Sequence, residues 1–145
     1  MDEQLEVALK GGEFKRLFES QFVDIKKRYD LKKVDIEVLY FLSNCNEHNT
    51  PTDIYRSLKL NRGHVSQAID NLCRRELIIA IPDKDDRRYM HYKISENAVE
   101  IIKEISIVRK ELDQQIFKGI SKEEMLAYKR TSEKICSNVR EMLKM

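Results

Sequence analysis

Residues 50–72 read Thr50-Pro51-Thr52-Asp53-Ile54-Tyr55-Arg56-Ser57-Leu58-Lys59-Leu60-Asn61-Arg62-Gly63-His64-Val65-Ser66-Gln67-Ala68-Ile69-Asp70-Asn71-Leu72. Two helix starts stand in this stretch. Thr50 precedes Pro51, and Asp53 follows three residues on. The threonine hydroxyl can accept an amide of the first turn, the aspartate can reach back to the cap, and proline lacks an amide that would otherwise go unpaired. The helix so opened reaches about Leu58. Lys59-Leu60 leaves room only for a tight turn. Asn61 then caps a second helix, predicted to run to about Arg75. Val65, Ala68, Ile69 and Leu72 recur at intervals of three and four, which makes them its buried face. Arg62, Gly63, His64, Ser66, Gln67, Asn71 and Arg74 fall on the exposed face.

Outward from this pair, Leu77-Ile78-Ile79-Ala80-Ile81 is β-branched and too short for a separate helix. Residues 89–94 alternate Tyr89, His91, Lys93 against Met90, Tyr92, Ile94. Together they predict a β-hairpin whose charged tip, residues 82–87, is longer than a two-residue turn and is expected to be mobile. Upstream, residues 34–45 carry Ile36, Val38, Leu39, Phe41 and Leu42 around most of a helix, as a central core helix does. Phe14, Leu17, Phe18, Phe22, Ile25 and Tyr29 predict one helix over 14–29. Leu5, Val7 and Leu9 come before it, with Gly11-Gly12 as the break. Downstream, Ser95 is expected to cap a long helix with the stripe Ala98, Ile101, Ile102, Ile105, Val108, Leu112 and Ile116. Gly119 fits the residue after its end. Ser121 and Glu124 form a capping box for a final helix to about residue 143.

The fold class is therefore mainly α with a small β-hairpin wing. A winged helix-turn-helix core at 34–94 sits between N- and C-terminal dimerisation helices at 1–30 and 95–145, all within a single domain of 1–145. The 145 residues suit one such domain, and only 4 Gly and 2 Pro disfavour a turn-rich all-β fold. The terminal helices hold more apolar positions than one small core needs. A second copy of the chain is the expected cover, in a symmetric homodimer. The longest apolar runs fall far short of a membrane span, and residues 1–10 lack the features of a signal peptide, so a cytoplasmic protein with no membrane partner is the default.

Net charge is +2, but Arg56 to Lys93 holds nine Lys and Arg against five Asp and Glu, a localised basic surface. Double-stranded DNA is the expected partner of this arrangement. A helix fits the major groove, the helix before it can aim its N-terminal amides at phosphate with Thr52 in its first turn, and a basic hairpin can reach the neighbouring backbone or minor groove. On the exposed face Arg62 suits phosphate or guanine, and Gln67 suits adenine. His64 and Ser66 can donate to bases or phosphates, and Asn71 lies on the same face. Gly63 costs helix stability, which close approach to a duplex explains. Asp70 is awkward near phosphate and is expected to pair with an arginine of the protein. At the tip, Lys84, Arg87 and Arg88 are the basic groups.

The run 50–72 resembles the helix-turn-helix of the MarR family. Leu77-Ile78, then Pro82-Asp83-Lys84-Asp85-Asp86-Arg87-Arg88, then Tyr92-Lys93-Ile94-Ser95 resembles that family's wing, with its D-x-R signature at Asp86 and Arg88. The resemblance implies a homodimeric bacterial transcription regulator, usually a repressor of a neighbouring operon that leaves DNA when a small molecule binds or a cysteine is oxidised. It also implies that Arg88 enters the minor groove while Asp86 restrains it or a basic neighbour. Two positions depart from the family's pattern: Glu76 and Ala98 stand where it often has glycine. Glu76 is expected either to tighten the turn into the hairpin or to lengthen the helix before it. An unknown small-molecule effector is implied, and Phe14, Phe18, Phe22, Tyr29, Tyr40 and Phe41 are candidate aromatic walls for its pocket.

Cys45, Cys73 and Cys136 form neither a CxxC nor a disulfide framework and read as buried free thiols. A redox switch is the competing regulation. The family's peroxide sensors place their cysteine in the first helix, whereas this chain has none before Cys45, which lies near a helix C-terminus that disfavours thiolate. Cys45-x-x-His48 supplies two metal ligands where structural zinc generally wants four. No metal or other cofactor is expected. No catalytic residue is assigned either: Gly-rich phosphate loops, G-x-S-x-G and HExxH are all missing. The remaining alternative is a winged helix that binds proteins rather than DNA.

Overall fold

The structure, a computed structural model, describes residues 11–144. In chain order the elements are α1 (Gly11–Gln21), α2 (Val23–Tyr29), α3 (Lys33–Asn44), α4 (Pro51–Leu58), α5 (Arg62–Arg74), β1 (Ile78–Pro82), β2 (Met90–Ile94), a 3-10 turn (Glu96–Ala98), α6 (Val99–Ile116) and α7 (Lys122–Lys144). This is the mainly helical chain with one hairpin that the periodicities predict. Among the described residues no helix is long and apolar enough to cross a membrane. The described residues divide into two compact units, Gln21–Arg109 and a second made of residues 11–20 with 110–144.

Within the first unit, α3 packs on α4, α5 and β2, α5 packs on α4 and β1, and the strands pair antiparallel from Ile78 opposite Ile94 to Pro82 opposite Met90. The core forms where these elements meet: Val38, Leu39, Ile54, Val65, Leu72 and Ile105 are all nearly or fully inaccessible. All four apolar positions read off α5, Val65, Ala68, Ile69 and Leu72, are buried. The predicted caps of α4 and α5 also form, and Ser121 and Glu124 cap α7 reciprocally.

Several expectations are corrected. The single helix over 14–29 is broken at Phe22, whose φ of −102° and ψ of 3° end one helix and open the next. Phe22 itself is buried, so the break serves to turn its ring into the core. Gly12 lies inside α1, and Leu5, Val7 and Leu9 fall outside the described residues. Ser95 caps no long helix: its hydroxyl donates to the Glu76 carbonyl at 2.6 Å, and a 3-10 turn comes before α6. Glu76 does not lengthen α5. The helix stops at Arg74, and Glu76 takes left-handed geometry at φ 59°. This lets the Leu77 amide reach back to the Leu72 carbonyl, the closure that ends many helices.

α7 has no buried residue, and Leu126, Ile135, Val139, Met142 and Leu143 along it are exposed.

Candidate nucleic-acid interface

Local chemistry builds the site from α4 upward. The Asp53 amide donates to Thr50 Oγ1 at 3.2 Å, and the Thr50 amide donates to Asp53 Oδ2 at 3.1 Å. With Pro51 in the first turn this fixes where α4 begins, leaving Thr52 half-buried in that turn. At α5, Asn61 Oδ1 accepts the Gly63 amide at 2.7 Å and the His64 amide at 3.4 Å. A side chain on Gly63 would set its Cβ 3.0 Å from that same Asn61 oxygen. The glycine therefore already has a role inside the protein, in making room for the cap.

Burying Val65, Ala68, Ile69 and Leu72 leaves Arg62, His64, Ser66 and Gln67 exposed. The Arg62 guanidinium lies over the Tyr55 ring, 4.8 Å from its centroid. The Tyr55 hydroxyl is held below its usual range, first by a hydrogen bond with Thr52, with the charge of Arg62 adding to it. Tyr55 thus joins the two helices of the pair and stiffens Arg62. Sequence reasoning missed it, because the stack spans the turn at a spacing no single-helix pattern contains.

The remaining polar positions of α5 divide. Asn71 is half-buried: its Nδ2 donates to Asp35 Oδ2 at 3.3 Å, and its Oδ1 accepts from Arg74 at 3.1 Å. Asp35 is buried and also accepts the Lys32 amide at 2.8 Å. Asn71 is therefore committed within the protein. Arg75 grips the Tyr29 and Asp30 carbonyls. The expected partner of Asp70 is not found: it is exposed and, among the described residues, makes no ion pair with an arginine.

The hairpin tip is tied, contrary to a freely mobile tip. Asp83 Oδ2 accepts the amides of Asp85 and Asp86 at 3.1 Å each, the Asp83 amide donates to the Tyr89 carbonyl, and the Tyr89 amide donates to that of Asp86. Arg88 is bidentate on Asp86, with Nε 3.0 Å from Oδ1 and Nη2 2.8 Å from Oδ2. That pairing holds the Asp86 carboxyl below the usual range. The Arg88 side chain is still 87% exposed, and Lys84 and Arg87 are exposed beside it. A fork so held is aimed in advance yet open to solvent.

Of the six aromatic candidates for an effector pocket, Phe14 and Phe18 belong to one compact unit and Phe22, Tyr29, Tyr40 and Phe41 to the other. Phe14 and Phe18 stack on each other with centroids 4.8 Å apart. Phe22 is core. Tyr29 shares a hydrogen bond with Glu104. Tyr40 lies under Arg109, 4.0 Å from its guanidinium carbon, and Phe41 is half-buried. A cavity of about 760 Å³ is lined instead by Leu31, Lys32 and Asp35 and by the α5 residues His64, Gln67 and Asn71, among others. A second, of about 600 Å³, lies among Leu42, Ile94, Val99, Ile102 and Ile107. Neither takes a wall from any of the six. The cysteines are half-buried rather than buried, and burial pushes the Cys45 and Cys73 thiols up, away from thiolate.

Residues 31–98 match the family described as winged helix DNA-binding domain. No curated protein sequence matches the chain. Among solved structures, S. aureus MepR in its DNA-binding conformation is 20% identical, covers 88% of this chain and 93% of its own, and superposes with a TM-score of 0.75. Transcriptional regulator PA3341 is 17% identical, with coverage of 88% and 96% and a TM-score of 0.71. Streptococcus pneumoniae FabT in complex with DNA is 18% identical, with coverage of 89% and 91% and a TM-score of 0.67. Residues 31–98 thus match the model of a winged helix DNA-binding domain, and the chain has the fold of the solved MepR, PA3341 and FabT structures.

Proposed function

We propose that the protein is a transcriptional regulator that acts as a homodimeric repressor on a pseudo-palindromic operator and is released by a small-molecule effector. One observation carries the DNA reading. α5 buries an unbroken apolar stripe and turns Arg62, His64, Ser66 and Gln67 outward, while the hairpin tip beside it holds Arg88 ready and exposed. In this reading α5 lies in the major groove, Gln67 and Arg62 read base edges, Thr52 meets phosphate at the start of α4, and Lys84, Arg87 and Arg88 extend the contact past the groove. Gly63 and His64 lie at the N-terminal end of α5, close to the duplex, and Asn71 contributes by orienting the helix through Asp35. MepR in its DNA-binding conformation and FabT in complex with DNA support the same partner.

Dimerisation is supported by α7, whose apolar stripe has no buried member among the described residues. Paired copies would present two α5 helices about 34 Å apart, one helical turn of duplex. The effector acts by binding more tightly to the form in which that spacing is wrong, since equal affinity for both forms shifts nothing.

Selection of bound duplexes from a random pool tests the reading. A two-fold related motif is the expected result, and failure to enrich any duplex at low salt overturns it. With the selected site in hand, Arg88→Ala is expected to weaken binding and to flatten the salt dependence by roughly one released ion per wing. An unchanged slope removes Arg88 from the interface.

A further inference from the structure

The wing tip is joined to the loop ahead of α4 by a side-chain bridge that the contacts above do not use. His91, on β2, stands in its middle. Its Nδ1 is 2.6 Å from Asn49 Oδ1, and its Nε2 is 2.7 Å from Asp83 Oδ1. A carboxylate only accepts, so Nε2 carries a proton and donates it to Asp83; Nδ1 is then either a second donor, to Asn49 Oδ1, or, with that side-chain amide turned over, the acceptor of its NH2. Asn49 is a firm seat: it is 3% exposed, and its carbonyl accepts the Tyr92 amide at 3.0 Å. The next residue is Thr50, the cap of α4. On the far side, Asp83 spends its second oxygen on the amides of Asp85 and Asp86, and Asp86 holds Arg88. The line from the first turn of α4 to the Arg88 fork is therefore continuous.

We propose that His91, seated on Asn49, is a positioning residue for DNA binding: by holding Asp83 it sets the wing tip, and with it Arg88, at a fixed place relative to the start of α4. The inference rests on the reading of Arg88 as a DNA contact. A two-stranded hairpin is marginal by itself, and its tip here is exposed. Without His91 the Asp83 turn and the Asp86–Arg88 pair survive as a local unit, and the strands stay on the helices through the Tyr92–Asn49 backbone bond, but the tip loses the side-chain tie that fixes it to the loop ahead of α4. Ordering that unit then falls on the binding step, and affinity drops accordingly. The drop passes through Arg88, which distinguishes positioning from a general loss of stability.

A double-mutant cycle reads this out, with anisotropy of a fluorescent duplex selected by the wild-type protein. His91→Ala is expected to weaken binding at least about fivefold with Arg88 present, and less than about twofold in an Arg88→Ala background. His91→Gln, whose amide nitrogen falls where Nε2 stands, is expected to restore most of the affinity. His91→Asn reaches only the place of Nδ1 and is expected to bind as weakly as the alanine variant. Thermal melting monitors the fold of each. Wild-type affinity in both His91→Ala and His91→Asn, or equal losses in the two Arg88 backgrounds, overturns the inference while the wing contact stands. An Arg88→Ala variant with unchanged affinity and salt slope overturns the wing reading itself, and the inference with it.

Discussion

Asp30, Lys59 and Glu76 all carry left-handed backbone, at φ of 50°, 52° and 59°, and each is followed by leucine. In each case that leucine's amide bonds a carbonyl five residues back: Leu31 to Lys26, Leu60 to Tyr55, Leu77 to Leu72. The leucine side chain then packs inward, and Leu31 and Leu77 are buried. This closure normally falls to glycine, because a Cβ in that conformation costs roughly 1–2 kcal/mol. A chain with 4 glycines bears the cost at three helix ends. Glu76 is exposed. Glu76→Asn is therefore expected to stabilise the fold by up to about 1 kcal/mol, since asparagine tolerates this geometry and adds none of glycine's freedom to the unfolded chain. Urea midpoints of the two proteins check it, and a lower midpoint for the variant contradicts it. These ends were only half legible. A polar residue before leucine at the close of an apolar period is visible, but the same pair occurs inside helices. The Tyr55–Arg62 stack left no trace in the sequence.

Elements were easiest to read where one side chain satisfies several backbone groups at short range. The box of Thr50 and Asp53, the Asn61 cap and the Ser121–Glu124 box all form as the spacing predicts, because each needs only residues within three positions. The wing tip depends on the same kind of economy but uses ionised groups. Asp83 is held below the usual carboxylate range first by His91 and then by the Asp86 and Asp85 amides, and Asp86 is held down by Arg88. A folded-state carboxyl below its unfolded value contributes order above the ordinary aspartate value of 3.8 and loses it as pH falls through the lower folded one. The Asp85 and Asp86 amide resonances and the Arg88 Nε–H signal are accordingly expected to move as pH falls below 3.8. Low-pH movement that persists when Asp83→Asn and Asp86→Asn are combined contradicts the assignment to the two carboxylates. The break at Phe22 was illegible for the opposite reason: its spacing fits a continuous helix, and burial of the ring, a tertiary matter, decides it.

For the whole molecule, the 23 residues of α7 present an apolar stripe with no buried member. A helix of that length rarely holds on propensity alone and takes its stability from packing. If α7 pairs two copies as proposed, Ile135→Glu combined with Val139→Glu is expected to leave a monomer in sedimentation equilibrium. The selected pseudo-palindrome is expected to bind about 100-fold more weakly, because the second half-site loses its effective concentration. A dimer that persists in this variant places the interface elsewhere. The effector remains the least legible part. The six aromatics that suggested one pocket are distributed among a stacked pair, the core, a hydrogen bond and a cation contact.

The sequence by itself determined the helix pair, the strands of the wing and the face of α5 turned inward. These follow from apolar period and from bonds between near neighbours, which hold wherever the chain folds. Only the tertiary structure decided that Asn71 turns to Asp35, that Arg62 lies on Tyr55, and that His91 spans from Asn49 to Asp83. Those contacts join groups on different elements, 36 residues apart for Asn71 and Asp35 and 42 for His91 and Asn49. Their geometry exists only once α3, α5 and the hairpin have packed, and no local pattern encodes it.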